Sequence, residues 1–368
     1  MCAVDGSNEI ASYLIVLLFL ASFLMNFTDI PQRIQMQRFS SFVRKRLYAL
    51  EELEADTRRK AIAYMSSVGI KEPSKVLEGF IDNFFLIRPV DIEPTDIIKR
   101  LKHLIRVREG SVRDYVRTVL SEADRSIQYS VESVLEVVSA LRLLNKLIRH
   151  YLELGLKYNN WILVMQLAMQ IPEVVEVAKA YAGSIDAFSS GIPIGDSVGP
   201  LVAKMLVGWG EPTRELSEGT DLYEVEIDKR KVYVIKASGP GSNVGWPGEA
   251  LERLVREYDG EIERIITVDA ALKLESEESG EVAYGAGAAI GDPGPEKIAM
   301  ERVASEHSIP LDAVVVKMSE AEALSPLSKK IYEGALRAYD TVLKIIREKV
   351  REGGTVVVIG VGNTVGVR

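Results

Sequence analysis

The most apolar stretch of the chain lies close to its N-terminus. Residues 10–27, IASYLIVLLFLASFLMNF, contain no charged side chain. As a helix with a rise of 1.5 Å per residue they extend about 27 Å, just enough to cross a hydrocarbon core of about 30 Å. The pattern therefore predicts a transmembrane helix over 10–27, preceded by a short segment, 1–9.

Charges on either side of this run predict its orientation. Asp5 and Glu9 precede it, unlike the basic start of a cleaved signal peptide. The flank that follows is basic, with Arg33, Arg38, Arg44, Lys45 and Arg46. Because positive charge favours the cytoplasmic side, we expect residues 1–9 outside the cell membrane and the C-terminal part in the cytoplasm. Membrane lipid is then a predicted partner of this helix.

Helical periodicity continues over 28–190, which we expect to form one helical region. Within 111–157, residues recur at alternate spacings of four and three: Ile127, Val131, Val134, Val138, Leu141, Asn145, Ile148 and Leu152. A heptad seam with one Asn fits a self-associating coiled coil, and hence a homo-oligomer. The apolar face is wider than a two-helix seam, which fits an intramolecular bundle instead. Residues 161–171 are apolar but too few to cross a membrane, so we expect a buried helix there.

Beyond residue 191 the pattern changes to short Val- and Ile-rich runs separated by amphipathic helices. Strands are predicted at 231–237, 262–268, 311–317 and 355–361, and helices at 201–207, 249–258 and 327–351. Strands without polar alternation are buried on both faces, as in parallel sheets covered by helices. The sequence therefore predicts an α/β domain over 191–368, with a mainly parallel sheet and helices on both faces.

The composition excludes several kinds of partner and metal site. The 368 residues carry a net charge of −8 made up of both signs, so no nucleic-acid partner is expected. The single cysteine, Cys2, excludes internal disulfides and a thiolate zinc site. The three histidines, His103, His150 and His307, are far apart in sequence. Any bound metal would therefore rest on carboxylates.

Candidate site residues come from the turns at the predicted strand ends, because ligands of parallel α/β sheets bind beyond the carboxyl ends of strands. They are Asp196, Ser238, Gly239, Gly241, Asn243, Asp269, Gly360, Gly362 and Asn363. Each also has a purely structural interpretation, since an Asp can cap a helix and a glycine can serve a tight connection. The free N–H groups of a Gly-rich turn such as ASGPGSN, residues 237–243, could equally cradle a phosphate.

Four longer motifs, PIGDSVGPLVA, ASGPG, VDAALKLE and VIGVGNTVGV, resemble those of a family of archaeal membrane-anchored proteins known as a domain of unknown function. This resemblance covers nearly the whole chain and implies no activity.

Residues 190–368 are also distantly similar to the hydrogenase-maturation endopeptidases and the spore germination proteases. Those folds share a Gly-x-Gly-Asn turn after the first strand, an acidic residue followed by x-x-Gly at a helix start, and a strand that ends in Asp-Ala. GVGN at 360–363, DSVGP at 196–200 and DA at 269–270 match these three marks. Since GVGN comes last here, the resemblance implies a circular permutation. Strand 355–361 should then lie inside the sheet, with the turn 362–363 beside Asp196.

The same resemblance implies that Asp196 and Asp269 face one another, either as an acid–base pair or as ligands of a divalent metal. Asp292, within GDPGP, is the candidate third acidic ligand. No histidine matches the maturation enzymes, because His307 precedes a strand instead of ending one. The pattern is closer to the germination proteases, in which carboxylates suffice.

The sequence is compatible with three functions. The first is a membrane-tethered cytoplasmic hydrolase of the endopeptidase type. The second is a non-catalytic sensor that binds a metal or a phosphorylated ligand in the same cleft. The third is a scaffold that assembles partners at the membrane through the heptad helix.

Removal of residues 1–30 should release the protein from membranes into the soluble fraction. The measurement is sedimentation of membranes after a high-salt wash, because basic flanks alone bind electrostatically and are screened within about 10 Å at 0.1 M salt. A truncated chain that still sediments after this wash would contradict a single anchor.

Overall fold

The computed structural model of the protein describes residues 16–20, 30–81, 83–84, 96–258, 260–290 and 294–368. Residues 16–20 are helical and exposed. The rest of the predicted transmembrane helix, and the segment 1–9 before it, lie outside the described residues.

Long helices make up most of the described chain before residue 191. They are α1 (Ile30–Ser67), α2 (Pro73–Ile81), α3 (Ile97–Val119), α4 (Arg125–Lys157) and α5 (Trp161–Ser190). The helical N-terminal region predicted from the periodicity is confirmed.

The heptad seam of α4 is buried within the chain itself. Val131, Val134 and Val138 are fully buried, and Asn145 is only 5% exposed. Nδ2 of Asn145 donates a hydrogen bond to the carbonyl oxygen of Leu50 at 3.3 Å. These contacts favour the intramolecular interpretation of the seam, and self-association through it stays a prediction.

The helix α5 is longer than the one predicted for 161–171, because it continues through Pro172. Val164 and Ile171 are buried whereas Met169 is 72% exposed, so burial holds for one face only. Among the described helices, α5 alone has the length and apolar composition of a membrane span, and 22% of its most apolar window is buried. Core helices of soluble proteins can have the same length and composition, so this match assigns no location.

The chain divides into two compact units. One comprises Met1–Leu53 and Arg142–Ala178, and the other comprises Glu54–Leu141 and Lys179–Arg368. The sheet and the candidate site residues belong to the second unit.

A seven-stranded sheet, in the order β1-β2-β3-β7-β4-β6-β5, forms the centre of the described part of this second unit. Its strands are β1 (Arg214–Ser217), β2 (Thr220–Ile227), β3 (Arg230–Ala237), β4 (Ile262–Leu272), β5 (Val282–Ala286), β6 (Leu311–Met318) and β7 (Thr355–Gly360). The central four, β3, β7, β4 and β6, run parallel, whereas β1, β2 and β5 pair antiparallel with their neighbours. The prediction of a mainly parallel sheet is therefore wrong, because the sheet is mixed.

The strands that the pattern missed are the outer ones. β2 carries exposed or half-exposed acidic residues, such as Glu224 and Glu226, between apolar ones, as expected for a strand with one solvated side. It joins β3 through Asp228 and Lys229, whose φ angles of 49° and 60° belong to a tight hairpin turn. Hairpin turns of this kind usually contain Asn-Gly or Asp-Gly. The Asp-Lys sequence at 228–229 does not match, so the hairpin was not predicted.

Helices cover both faces of the sheet, as predicted. They are α6 (Val198–Val207), α7 (Pro247–Glu257), α8 (Pro295–Glu306), the short α9 (Glu320–Leu324) and α10 (Lys329–Lys349). α6 and α10 pack on one face, and α7 and α8 pack on the other. Both clusters are continuous with the buried side chains of the central strands.

The strand β7 lies between β3 and β4, and all six of its residues are buried. Its predicted position inside the sheet is confirmed. A strand with no polar alternate face needs a partner on each side and a helix on each face.

The helix α6 begins directly against the ends of β7 and β4, with no side chain between them. A Cβ at Gly199 would overlap the carbonyl oxygens of Val361 and Val268, and a Cβ at Gly360 would overlap the Gly199 carbonyl oxygen. The two glycines therefore allow contact between backbones, and this contact brings the turn before α6 to the carboxyl end of β7.

The variant Gly199→Ala should lower the free energy of unfolding by about 2 kcal/mol or more, because the new methyl group forces the helix away from the strand ends. The matched control is Gly183→Ala in α5, where a Cβ would meet no atom within 4 Å. That variant should be neutral or stabilising by about 0.5–1 kcal/mol. Denaturant titration followed by tryptophan fluorescence measures both, and equal midpoints would contradict the close-packing account.

Candidate functional site

Asp196 lies in a 3₁₀ turn, Gly195–Ser197, immediately before α6. Its Oδ2 accepts a hydrogen bond from the backbone N–H of Asn363 at 2.8 Å. Gly362 has a φ of 123°, and a Cβ there would overlap the Asp196 carbonyl oxygen. The turn 362–363 after β7 thus lies beside Asp196, where the sequence predicts it.

Asp269 lies in β4, the strand next to β7. It follows Val268, the last β4 residue that pairs with β7, and it is only 3% exposed. Its Oδ1 accepts a hydrogen bond from the N–H of Ala270 at 2.7 Å. The prediction that this Asp closes its strand is wrong, since β4 continues to Leu272 through its pairing with β6.

Asp196 and Asp269 line one cavity of about 390 Å³, named here the aspartate cavity. Its walls also include Ile105 and Glu109 of α3, Trp246 before α7, and Glu296 of α8. Helices from distant parts of the sequence thus contribute to the cavity that the two aspartates line.

Burial perturbs the acidic groups of this cavity. It raises the pKa of Asp196 from its ordinary 3.8 to about 6, and the Asn363 N–H partly offsets the effect because it stabilises the ionised form. Burial also raises the pKa of Glu109, against the lowering effect of Arg113 and Arg108. Asp196 can therefore hold or release a proton close to neutral pH, as acid–base chemistry requires.

Asn363, whose N–H holds Asp196, also contacts the ASGPGSN turn, residues 237–243. Its Nδ2 donates to Ser242 Oγ at 2.8 Å, and Ser133 of α4 donates to the same oxygen at 2.6 Å. Its Oδ1 accepts from the N–H of Val365 at 2.9 Å. Both the nitrogen and the oxygen of the Asn363 side-chain amide are thus hydrogen-bonded. These bonds hold the residue in place, and with it the backbone N–H that donates to Asp196.

The ASGPGSN turn is occupied by the chain's own backbone. A Cβ at Gly239 would overlap the Val367 carbonyl oxygen, and one at Gly241 would come within 2.6 Å of the Ser126 carbonyl oxygen. Nδ2 of Asn243 donates to the carbonyl oxygens of Gly219 and Ser238. These contacts place the turn against the segment after β7, and ligand binding by Ser238, Gly239, Gly241 and Asn243 stays a prediction.

A metal site lacks a complete set of ligands in the described residues. No group of three or more His, Cys, Asp or Glu side chains in this part of the chain is placed to hold a metal ion. Asp292, the predicted third ligand, lies outside the described residues.

Sequence reasoning missed the residues that the helical region contributes. Ile105 and Glu109 precede Asp196 by some ninety residues and belong to no strand-end turn. Their spacing of four places them on one face of α3, which is the only signal that the sequence offers.

Two family models match the chain and together span nearly all of it. The model described as "Protein of unknown function (DUF1512) N-terminal domain" matches residues 17–191. The model described as "Domain of unknown function (DUF1512) C-terminal" matches residues 194–368.

The chain belongs to the DUF1512 family. The resemblance to a family of unknown function is therefore confirmed. The C-terminal DUF1512 model begins one residue before the Gly195–Ser197 turn and includes Asp196, Asp269 and Asn363. No curated protein matches the chain.

The raised pKa of Asp196 should make the folded protein lose stability as pH rises from about 4 to 6, because the unfolded chain ionises first. Asp196→Asn keeps an acceptor for the Asn363 N–H but cannot ionise. Relative to the wild type, this variant should therefore gain on the order of 2 kcal/mol in free energy of unfolding between pH 4 and pH 8.

Asp228 provides a control of opposite sign. The Arg347 guanidinium holds the pKa of Asp228 below its ordinary value, so its stabilisation is present above about pH 4 and is lost on acidification. Asp228→Asn should therefore be less stable than the wild type by a nearly constant amount between pH 4 and pH 8, whereas the difference for Asp196→Asn changes over the same interval. Denaturant midpoints at pH 4, 6 and 8 measure both variants, and a pH-independent difference for Asp196→Asn would contradict its perturbed pKa.

Proposed function

We propose that this protein is a membrane-tethered hydrolase of the endopeptidase type, in which Asp196 and Asp269 form the acid–base pair. The observation that carries the proposal is that both aspartates line one cavity and that burial raises the pKa of Asp196 to about 6. Two carboxyl groups in one cleft can divide the acid and base roles between them.

Hydrolysis of a peptide bond by this pair needs only the peptide and one water molecule. The ionised Asp269 takes a proton from a water molecule, whose oxygen attacks the carbonyl carbon of the scissile amide. The protonated Asp196 gives its proton to the amide nitrogen as the C–N bond breaks, which leaves a carboxylic acid and an amine. Asp196 is then ionised and Asp269 protonated, and proton exchange with water restores both groups.

The neighbours of Asp196 support the acid role. The Asn363 N–H fixes the orientation of the carboxyl group, since Asn363 is itself held by Ser242 and Val365. Apolar walls from Ile105 and Trp246 lower the local dielectric constant, which favours the protonated form.

The resemblance to a permuted endopeptidase requires the last strand to lie inside the sheet, with its following turn beside Asp196. β7 comes last in the sequence but lies beside β4, and its following turn contacts Asp196. A sensor of phosphorylated ligands gains no comparable support, because the glycines of the ASGPGSN turn face the chain's own carbonyl oxygens.

The membrane tether in the proposal rests on the uncharged run at 10–27 and on the basic flank that follows it. A tether of this kind would keep the aspartate cavity on the cytoplasmic side, so its substrates would be cytoplasmic or membrane-associated proteins.

Asp196→Asn and Asp269→Asn should each lower the hydrolysis of a fluorogenic peptide library by about 100-fold or more, because each removes one partner of the proton transfer. The matched control, Asp340→Asn, changes an exposed aspartate of α10 and should leave the rate unchanged. The wild-type rate should fall above about pH 6, as Asp196 loses its proton. An Asp269→Asn variant with full activity would overturn the proposal.

A further inference from the structure

The strand β4 runs past the end of β7. Its pairing with β7 stops at Val268, opposite Gly360, whereas its pairing with β6 continues to Leu272, opposite Met318. Residues 269–272 therefore have a strand partner on the β6 side, and no strand of the described chain pairs with their other side.

The backbone alternation shows which groups face the open side. In a parallel pair, the main-chain groups of alternate residues point toward the same neighbour. The carbonyl oxygen of Val268 accepts from the N–H of Val361, on the β7 side, and the N–H of Lys273 donates to Met318 on the β6 side. The main-chain groups of Ala270 and Leu272 therefore point toward the open edge, as those of Val268 do. Because the Ala270 N–H donates to Asp269 Oδ1 at 2.7 Å, a ligand at this edge would use the Ala270 carbonyl oxygen and the Leu272 N–H.

A second cavity, of about 430 Å³, is lined by the last residues of β4, 270–272, by Asp196, and by Val315 and Met318 of the neighbouring β6. It is named here the alanine cavity, because Ala270, Ala271, Ala288, Ala289 and Ala323 line it. Its other apolar lining residues are larger, Leu272, Ile290, Val315 and Met318. A cavity with this mainly apolar lining is suited to one apolar group from outside.

Asp196 lines the alanine cavity as well as the aspartate cavity. A ligand on the open edge of β4 would therefore continue directly to the acid–base pair. The alanine cavity also has Glu320 on its wall, and its lining within the described chain includes no Lys or Arg. This charge distribution is complementary to a basic ligand and disfavours an acidic one.

We propose that the occupant is an extended peptide segment that adds a short strand to β4 at 270–272, inserts one large apolar side chain into the alanine cavity and carries a neighbouring Lys or Arg. Strand addition to a free sheet edge gives affinity through main-chain hydrogen bonds, and pockets for alternate side chains give specificity. That the bound peptide is then hydrolysed rests on the proposed function. Binding of the peptide does not depend on hydrolysis.

The first test changes the ligand and leaves the protein intact. The probes are blocked, fluorescently labelled ten-residue peptides with Leu at the central position and Lys beside it, measured by fluorescence anisotropy. N-methylation of single backbone nitrogens should weaken binding at alternate positions only, by about tenfold or more, because one set of N–H groups faces β4. A central Ala in place of Leu should weaken binding by about tenfold.

The second test changes the edge. Leu272→Pro removes one edge N–H, whereas Leu272→Ala trims the same exposed side chain and keeps the N–H. Leu272→Pro should weaken binding of every peptide by about tenfold, and Leu272→Ala should change it by less than about threefold. Ala271→Phe, which fills the alanine cavity, should remove the preference for Leu over Ala while binding of the Ala peptide persists.

Binding to the Asp269→Asn variant separates this inference from the proposed function. Peptides that bind this variant with the alternating N-methyl pattern support strand addition even if the wild type hydrolyses nothing. Uniform or absent N-methyl effects, or equal binding of Leu and Ala peptides, would overturn it. A changed oligomeric state of Leu272→Pro with unchanged peptide binding would assign the edge to a second copy of the chain and would also overturn it.

Discussion

The direct contact of α6 with the ends of β7 and β4 is the constraint on which the candidate site depends. Gly199 and Gly360 allow helix and strand backbones to meet without intervening side chains. The turn that carries Asp196 is thereby placed at the strand ends, within reach of the Asn363 N–H. If this helix lay even one methyl group farther out, the hydrogen bond to Asp196 would be lost, although the sheet itself could still form.

Much of the fold could be predicted from the local pattern of the sequence. The four parallel strands lack a polar face, so each was recognisable as a strand buried on both sides. β1, β2 and β5 escaped the prediction because short, one-sided or small-residue strands carry little periodic signal. The same limit explains the wrong end of β4, since nothing in the Ala-Ala-Leu sequence at 270–272 distinguishes a strand that continues along one neighbour from one that stops.

The site was predictable only in part, for a related reason. Asp196, Asp269 and Asn363 could be selected because they lie in turns or at strand ends, where chain order and sheet geometry bring residues together. Ile105 and Glu109 could not, since the packing of α3 over the sheet is set by tertiary contacts that leave no local motif. The glycines of the ASGPGSN turn were selected because glycine permits another group to approach the backbone closely. In the structure, the groups that approach them are carbonyl oxygens of the same chain.

The central position of β7 also has a consequence for the order in which the strands pair during synthesis. The three strands β1, β2 and β3 precede it, as do β4, β5 and β6, and each set can pair internally before β7 leaves the ribosome. Until then, β3 and β4 each present an unpaired, apolar edge, the kind of surface that drives aggregation. The last strand in the sequence therefore joins the two halves of the sheet and covers both of these edges in one step. A polypeptide interrupted before Thr355 would be a ready substrate for chaperones and quality-control proteases.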